Sequence, residues 1–577
     1  MSGAPLGATV TPEGTTFRLW APHANAVAVI GDLNDWDADA HPMTRGEGDI
    51  WEVTIAGVGA GAQYRFALDT AVGRLDRIDP YARAVTNSVG NGIVWDPDAF
   101  DWQGEAFRCP PAHELVIYET HIGSFVAGKD GPGDLADALS RLDYLRSLGV
   151  NAIELMPLAE FAGDYSWGYN PAHIFAVESS YGGPDAFKKL VREAHRRGIA
   201  VILDVVYNHL GPSDLSVWQL DGWSENGKGG IYFYNDHRSS TPWGDTRPDY
   251  GRPEVRRFLI DNALFWLREF HVDGLRLDMT LYMRKVDAGG EDIGDGWSMM
   301  RDIADAVRAE RPDAITIAED LQSDPAITSA DGTRLQSQWD ARFVHPVRAA
   351  IITPDDGARS IPALVAAVTA RDHDDAFTRV VYTESHDEVA NGKARVPQEV
   401  EPGNPSGWAA QKRATLGAVL ALTSPGVPML FQGQEFLEDE WFRDTVPLDW
   451  ERAELLRDLV RLYRDLIALR RNLAGDSAGL TGQHTEVLHA DDAAKVLAYA
   501  RLADADHAVV ILNASHEPHE AAVRFPGPGA WRLRFNSDGR TYSALFTDHP
   551  SADVEAHGDG PSAVVTIGPY SALVYTR

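Results

Sequence analysis

Cysteine is almost absent from these 577 residues: Cys109 is the only one. A lone thiol excludes an intramolecular disulfide and any zinc site built on several thiolates. Positive charge is also scarce, with 52 Lys and Arg against 85 Asp and Glu and a formal charge of −33. A surface of that sign repels nucleic-acid backbones and anionic membranes, so neither is expected as a partner. Long apolar runs are missing too. The nearest candidate, Ala414 to Leu430, is broken by Ser424-Pro425 and Pro428 and falls short of the roughly 18 residues of a membrane span. The start, Met1-Ser2-Gly3-Ala4-Pro5-Leu6, has neither the basic region nor the apolar stretch of a secretion signal, so a cytoplasmic protein is expected. The pattern leaves the oligomeric state open.

What is present is the balance of a globular protein, 44% apolar and 24% charged, at a length that calls for two or three domains. Residues 1–105 read as a β-sandwich, with short alternating runs such as Thr15 to Trp20 and Gln63 to Leu68 separated by Gly, Asn and Asp. From 113 to 475 the texture changes to apolar runs alternating with amphipathic helices. The runs begin near Leu115, Ala152, Ala200, Gly274, Ala314, Arg379 and Val427. Leu135, Ala138, Leu139, Leu142, Leu145 and Leu148 make one helical stripe, and Val255 to Phe270 another, with Asn262 its one polar member. Such alternation means a parallel sheet, either doubly wound or closed into an eightfold barrel. Residues 476–577 return to β, with runs at Lys495, Ala508 and Ala563.

Carboxylates stand at the ends of the central apolar runs. Asp204, Asp278 and Glu319 each close one, and Asp387 lies just past Val380-Val381-Tyr382. In a parallel barrel that is the substrate face. Clustered carboxylates raise one another's proton affinity, which leaves one proton donor beside ionised partners. Arg276 shares a strand face with Asp278 and is expected to keep it ionised. A single Asp at a strand end is usually a helix cap, but four acids and an Arg in equivalent places are not explained that way. His209 and His386 follow the same placement. No His-Glu-x-x-His spacing points to a catalytic metal. Residues 210–253 form an aromatic-rich insertion with Trp218, Trp223, Tyr232, Phe233, Tyr234, Trp243 and Tyr250; it reads equally as a sugar-stacking surface or as a subdomain with its own core. Gly227-Lys228-Gly229-Gly230 lacks the spacing of a phosphate loop and reads as a surface turn.

Taken together these motifs resemble those of the α-amylase family of glycoside hydrolases and transglycosidases. Asp204 to His209, Gly274 to Asp278, Ala318 to Asp320 and Ser385 to Glu388 match its four motifs in order. The resemblance implies a (β/α)8 barrel preceded by a β-sandwich and followed by a small all-β domain. It implies Asp278 as nucleophile, Glu319 as acid/base and Asp387 as transition-state stabiliser. Asp204, His209, Arg276, His386, Tyr169 and Trp167 would bind an α-glucan or maltooligosaccharide, with no cofactor expected. Asn208 matches a calcium ligand of many amylases, although the two nearest subgroups commonly dispense with that ion, and the metal is left open. The sandwich motif Gly31 to Trp36 and the run Ser385 to Val389 are similar to glycogen branching enzymes. Asp204 to His209 and Phe431 to Glu435 are closer to malto-oligosyltrehalose trehalohydrolases. Transfer of an α-1,4 chain to a 6-hydroxyl is therefore expected ahead of hydrolysis of starch-like or trehalose-capped chains, and a non-catalytic glucan-binding protein stands as the remote alternative.

Overall fold

Eight parallel strands close a barrel in chain order: Ile117–Thr120, Ala152–Leu155, Ala200–Val205, Gly274–Leu277, Ile315–Ala318, Ser337–Trp339, Arg379–Val381 and Val427–Phe431. Closure is made by the first strand against the last, with Ile117 opposite Met429. The computed structural model describes residues 5–504 and 506–577, so Met1 to Ala4, most of the start read for a secretion signal, lie outside it. Inward side chains, among them Ile117, Ala152, Ala200, Ile202, Ile317, Val380 and Met429, form one buried cluster. The barrel is therefore filled below and open only at the carboxyl ends of its strands, as the fold requires.

Seven of these strands are the expected apolar runs. The sixth, Ser337–Trp339, was not among them, because two of its three residues are polar and it gives no apolar run to read. Its burial is complete all the same, and Gln338 Nε2 donates to the Asp324 carbonyl at 3.1 Å. Of the two helical stripes, the second is a single helix, Pro253–Phe270. Its buried Phe258, Leu259 and Phe270 each contribute about 1.5–3 kcal/mol by burial. Asn262 on that face is fully engaged: its Oδ1 accepts from Tyr207 Oη and Trp266 Nε1, and its Nδ2 donates to the Ile174 carbonyl. The first stripe splits into Leu135–Leu139 and Leu142–Leu148, and the second piece ends at Gly149 with φ 101°. The near-continuous apolar helix Trp408–Thr423 is buried from Ala410 to its end. Its one Lys, Lys412, pairs with the buried Asp538 of the last domain at 2.6 Å. Among the described residues no helix is long and apolar enough to cross a membrane.

The first domain is a sandwich of a four-stranded sheet containing Gly14–Trp20 and Ile50–Ala56, and a five-stranded sheet containing Ala26–Gly31 and Gln63–Thr70. Phe17, Leu19, Val27, Val29, Phe66 and Leu68 alternate into the space between. It is fixed to the barrel by Arg83, whose guanidinium pairs with Glu269 on helix Pro253–Phe270 at 3.0 Å. The carboxyl-terminal domain is a six-stranded sheet with a separate pair, His519–Arg524 against Ser562–Ile567.

Candidate active site

The third, fourth and fifth strands bring Asp204, Arg276, Asp278 and Glu319 together at the open end of the barrel. The ladder continues one residue past the strands: Asp278 N donates to the Val205 carbonyl and Glu319 N to the Leu277 carbonyl, both at 3.0 Å. Each carboxylate is thus carried on a backbone that is tied down on one side. Arg276, fully buried, sits among them. Its Nη1 donates to Asp204 Oδ2 at 2.7 Å and to Asp278 Oδ1 at 3.1 Å, and its Nη2 lies 3.0 Å from Glu319 Oε2. Trp339 backs the guanidinium at 4.4 Å from the ring centre, so the sixth strand supplies a wall of the site.

One guanidinium cannot neutralise three buried carboxylates, so part of the set must hold a proton. Burial pushes Glu319 up to about 8 despite Arg276, with Asp278 and Asp387 adding to the rise. Asp278 is also raised, to about 6, because burial outweighs the Arg276 charge. Arg276 pulls the proton affinity of Asp278 down, but burial leaves it above the usual carboxylate range rather than below it. Asp204 is raised by burial to about 6 as well, against the pull of Arg276 and Tyr169. The arrangement offers one carboxyl that keeps its proton near pH 7 beside one that has lost it. That pairing can perform acid-assisted nucleophilic displacement.

The other expected residues surround this group. Tyr169 Oη donates to Asp204 Oδ2 at 2.6 Å, and its ring stacks on His386 at 5.0 Å. Trp167 meets His386 edge-on at 5.7 Å. His386 lies with Nε2 3.6 Å from Asp387 Oδ2. Asp387 is the most exposed of the acids, at 36% of its side chain, and faces the cleft. His209 is fully buried and is held neutral by burial, which lowers it to about 4. Asp204 Oδ1 and Glu319 Oε1 are buried and make no hydrogen bond within the protein. They are the groups free to meet a polyhydroxylated substrate.

Met279 and Glu119 join the site without having been singled out in the sequence, and Asn208 and Trp243 complete it. Asn208 donates through Nδ2 to Asp278 Oδ2 at 2.7 Å and to the Asp278 carbonyl at 2.9 Å, while its Oδ1 meets His209 Nδ1 at 2.6 Å. Both ends of that amide are committed to the carboxylate site, which does not fit a calcium ligand. Met279 takes a left-handed φ of 37°, strained for a residue with a Cβ, and so turns its N–H onto Glu319 Oε2 at 2.8 Å. Glu119 on the first strand binds His386. Trp243, at the tip of the aromatic insertion, stacks on His209 at 4.5 Å. The insertion is otherwise a core: Tyr232, Phe233, Tyr234 and Tyr250 are all buried, so of its two readings the second holds for most of it. Gly227 to Gly230 is a turn, with Lys228 paired to Asp245 at 2.8 Å.

Barrel, flanking domains and carboxylate rim define a glycoside-active protein, and this chain belongs to the α-amylase family. Residues 81–219 and 212–467 match its catalytic domain, residues 487–577 its C-terminal all-beta domain, and residues 5–82 carbohydrate-binding module 48, the isoamylase N-terminal domain. Among its relatives is the 1,4-alpha-glucan branching enzyme GlgB of Burkholderia thailandensis, 33% identical, over 98% of this chain and 71% of that protein. The malto-oligosyltrehalose trehalohydrolase of Saccharolobus solfataricus is also 33% identical, over 76% of each. In fold it is similar to a pullulanase from Anoxybacillus sp. LM18-11 crystallised with maltotetraose (TM-score 0.78, 23% identity, covering 100% of this chain and 88% of that one).

Proposed function

We propose that the chain is a retaining enzyme that cleaves α-1,4-glucosidic bonds and passes the released chain to a sugar 6-hydroxyl, as a 1,4-α-glucan branching enzyme. The observation that carries the chemistry is the guanidinium of Arg276 touching both Asp278 and Glu319, the latter with the greater hold on its proton. Retention needs two carboxyl groups about 5–5.5 Å apart, and a shared guanidinium supports that spacing. Glu319 gives its proton to the glycosidic oxygen as Asp278 attacks the anomeric carbon. The C–O bond breaks, the shortened chain leaves as an alcohol, and a glycosyl ester remains on Asp278. Glu319, now ionised, takes the proton of the incoming hydroxyl, which displaces Asp278 and restores the α linkage. Asp387 and His386 grip hydroxyls of the sugar at the cleavage point, with Asp204, His209, Tyr169 and Trp167 completing its binding site. The substrate is an α-glucan or a maltooligosaccharide.

Transfer ahead of hydrolysis is supported by the extent of the likeness. The branching-enzyme relative aligns over 98% of this chain and the trehalohydrolase over 76%. Hydrolysis remains the second reading because Asp204 to His209, the first barrel motif, and Phe431 to Glu435 on the last strand resemble the trehalohydrolase group. Proton NMR of products from amylose and from maltooligosyl-trehalose separates them. Transfer gives new α-1,6 anomeric signals without a matching rise in reducing ends. A rise in reducing ends or free trehalose, with no α-1,6 signal, makes the protein a hydrolase.

The same assignment sets a pH profile. Asp278, raised to about 6, must lose its proton to attack, so kcat/KM falls as pH drops below that value. Glu319, raised to about 8, must hold its proton, so kcat/KM falls again as pH rises past it. A bell centred near neutrality is expected. A rate still climbing at pH 9 contradicts the Glu319 role.

A further inference from the structure

Two glutamates lie inside the barrel where apolar residues would be expected. Glu119, on the first strand, and Glu154, on the second, are opposite one another in the parallel register, and each is 1% exposed. Both lie on inward positions just below the catalytic rim, two residues beyond Ile117 and Ala152 of the interior cluster. Neighbouring strands are about 4.8 Å apart. Two negative charges at that separation, away from water, are strongly unfavourable, and one of the pair keeps its proton.

Their hydrogen bonds say which. Glu119 Oε1 meets His386 Nδ1 at 2.5 Å, and its Oε2 accepts from His386 N at 3.1 Å. Glu154 Oε2 is buried with no partner. An acceptor-only carboxylate belongs where two N–H groups are supplied, and a neutral acid belongs where none is. His386 is enclosed by the rings of Trp167, Tyr169 and Trp339. The charged or titratable groups around it are Glu119, Glu154, Asp204, Asp387, Arg276 and His121. Of these, His121 is held neutral by its burial, which lowers it to about 4.

We propose that Glu119 and Glu154 form a pair carrying a single charge: Glu119, ionised, holds His386 as an imidazolium with Nε2–H toward the cleft, and Glu154 remains protonated. Both are positioning residues that act through His386, and their effect on catalysis rests on the reading of His386 as a sugar-binding group. The supporting electrostatics agree. Burial works against the charge on His386, but Asp387 and Glu119 outweigh it and raise the imidazole to about 9. Burial and the neighbouring Glu119 push Glu154 well above the usual carboxylate range. The consequence is an acid-dependent site in Glu119→Gln. An amide still accepts from Nδ1–H but carries no charge to hold the second proton.

The test is carbon-13 NMR titration of Cε1-labelled histidine in the full chain, with the His386 signal assigned by its loss in His386→Gln. Wild type should titrate above pH 8, and Glu119→Gln should titrate at least about one unit lower, with Glu119→Asp recovering most of the shift. In parallel, the kcat/KM optimum of Glu119→Gln on maltooligosaccharide should move to acid pH, with a loss of about tenfold or more at pH 8. Infrared difference spectra at pH 7 should lose a protonated-carboxyl band in Glu154→Gln. If Glu119→Gln does not fold, the wild-type titration decides: a His386 neutral at pH 7 overturns the proposal. So does a His386 that titrates identically in wild type and Glu119→Gln. These spectra need no substrate, so they stand or fall independently of whether the enzyme branches or hydrolyses.

Discussion

Asp278→Asn should lower kcat/KM on amylose by at least about 10⁴-fold, the scale of removing a covalent nucleophile and equivalent to about 5 kcal/mol of transition-state stabilisation. An amide cannot form the glycosyl ester, and no neighbouring group replaces it: Asp204 is held on Arg276 and Tyr169, and Glu319 on Met279 N. The fold should survive. Arg276 keeps Asp204 and Glu319 as partners, and the Asn carbonyl can accept from Asn208 Nδ2 where Asp278 Oδ2 accepts it at 2.7 Å. The amide nitrogen would face Arg276 Nη1, a donor against a donor, but one buried negative charge is removed in exchange. A melting temperature within a few degrees of wild type is expected, with maltooligosaccharide binding retained. Activity within about 100-fold of wild type would rule out Asp278 as the nucleophile.

The large features of the molecule could be read from sequence because a filled parallel barrel imposes them. Its strands are buried on both faces, so they appear as apolar runs. Its functional groups sit where those runs stop, which is why Asp278 and Glu319 were conspicuous. Ser337–Trp339 was invisible for the same reason in reverse: three residues, two of them polar, followed directly by Asp340, which caps helix Ala341–Ile352. The helical stripe from Leu135 to Leu148 was overextended because periodicity carries across a break. The capping box of Asp134 and Asp137 starts a short helix that ends by Ser140.

The site was legible only as far as single residues announced themselves. Contacts made between strands were not. Nothing in Asp278-Met279-Thr280 signals that Met279 adopts a left-handed φ to reach Glu319, and Asn208 sits 70 residues from the carboxylate it orients. Glu119 and Glu154 did leave a trace, a charged residue in the middle of Ile117–Thr120 and of Ala152–Leu155. In a strand buried on both faces, such a residue has to be paired or neutral. Trp243 left less, since six other aromatics in the insertion blur it and the buried Tyr232, Phe233, Tyr234 and Tyr250 are structural.

Glu319→Gln tests the other half of the mechanism, and its expected result depends on the substrate. A glucan departs as a poor alkoxide and needs the proton, so the loss on amylose should be about 10³–10⁴-fold, or roughly 4–5 kcal/mol. A maltosyl fluoride or dinitrophenyl glycoside departs without help, and formation of its glycosyl ester on Asp278 should slow by no more than about tenfold. The second step still lacks a base, so the ester accumulates, and a small anion such as azide, which needs no deprotonation, should release it as the α-azide. The fall near pH 8 should vanish with the carboxyl that produces it, leaving only the later loss of the His386 charge near pH 9. Structure is expected to be preserved, because Glu319 is already raised to about 8 and a neutral amide resembles its protonated form. The Gln carbonyl can take the place of Oε2 before Met279 N and Arg276 Nη2, which leaves the amide nitrogen at the unpartnered Oε1 position. Equal losses on amylose and on the activated glycoside would remove Glu319 from the acid role. They would shift the search to Asp387, the next carboxyl at the rim.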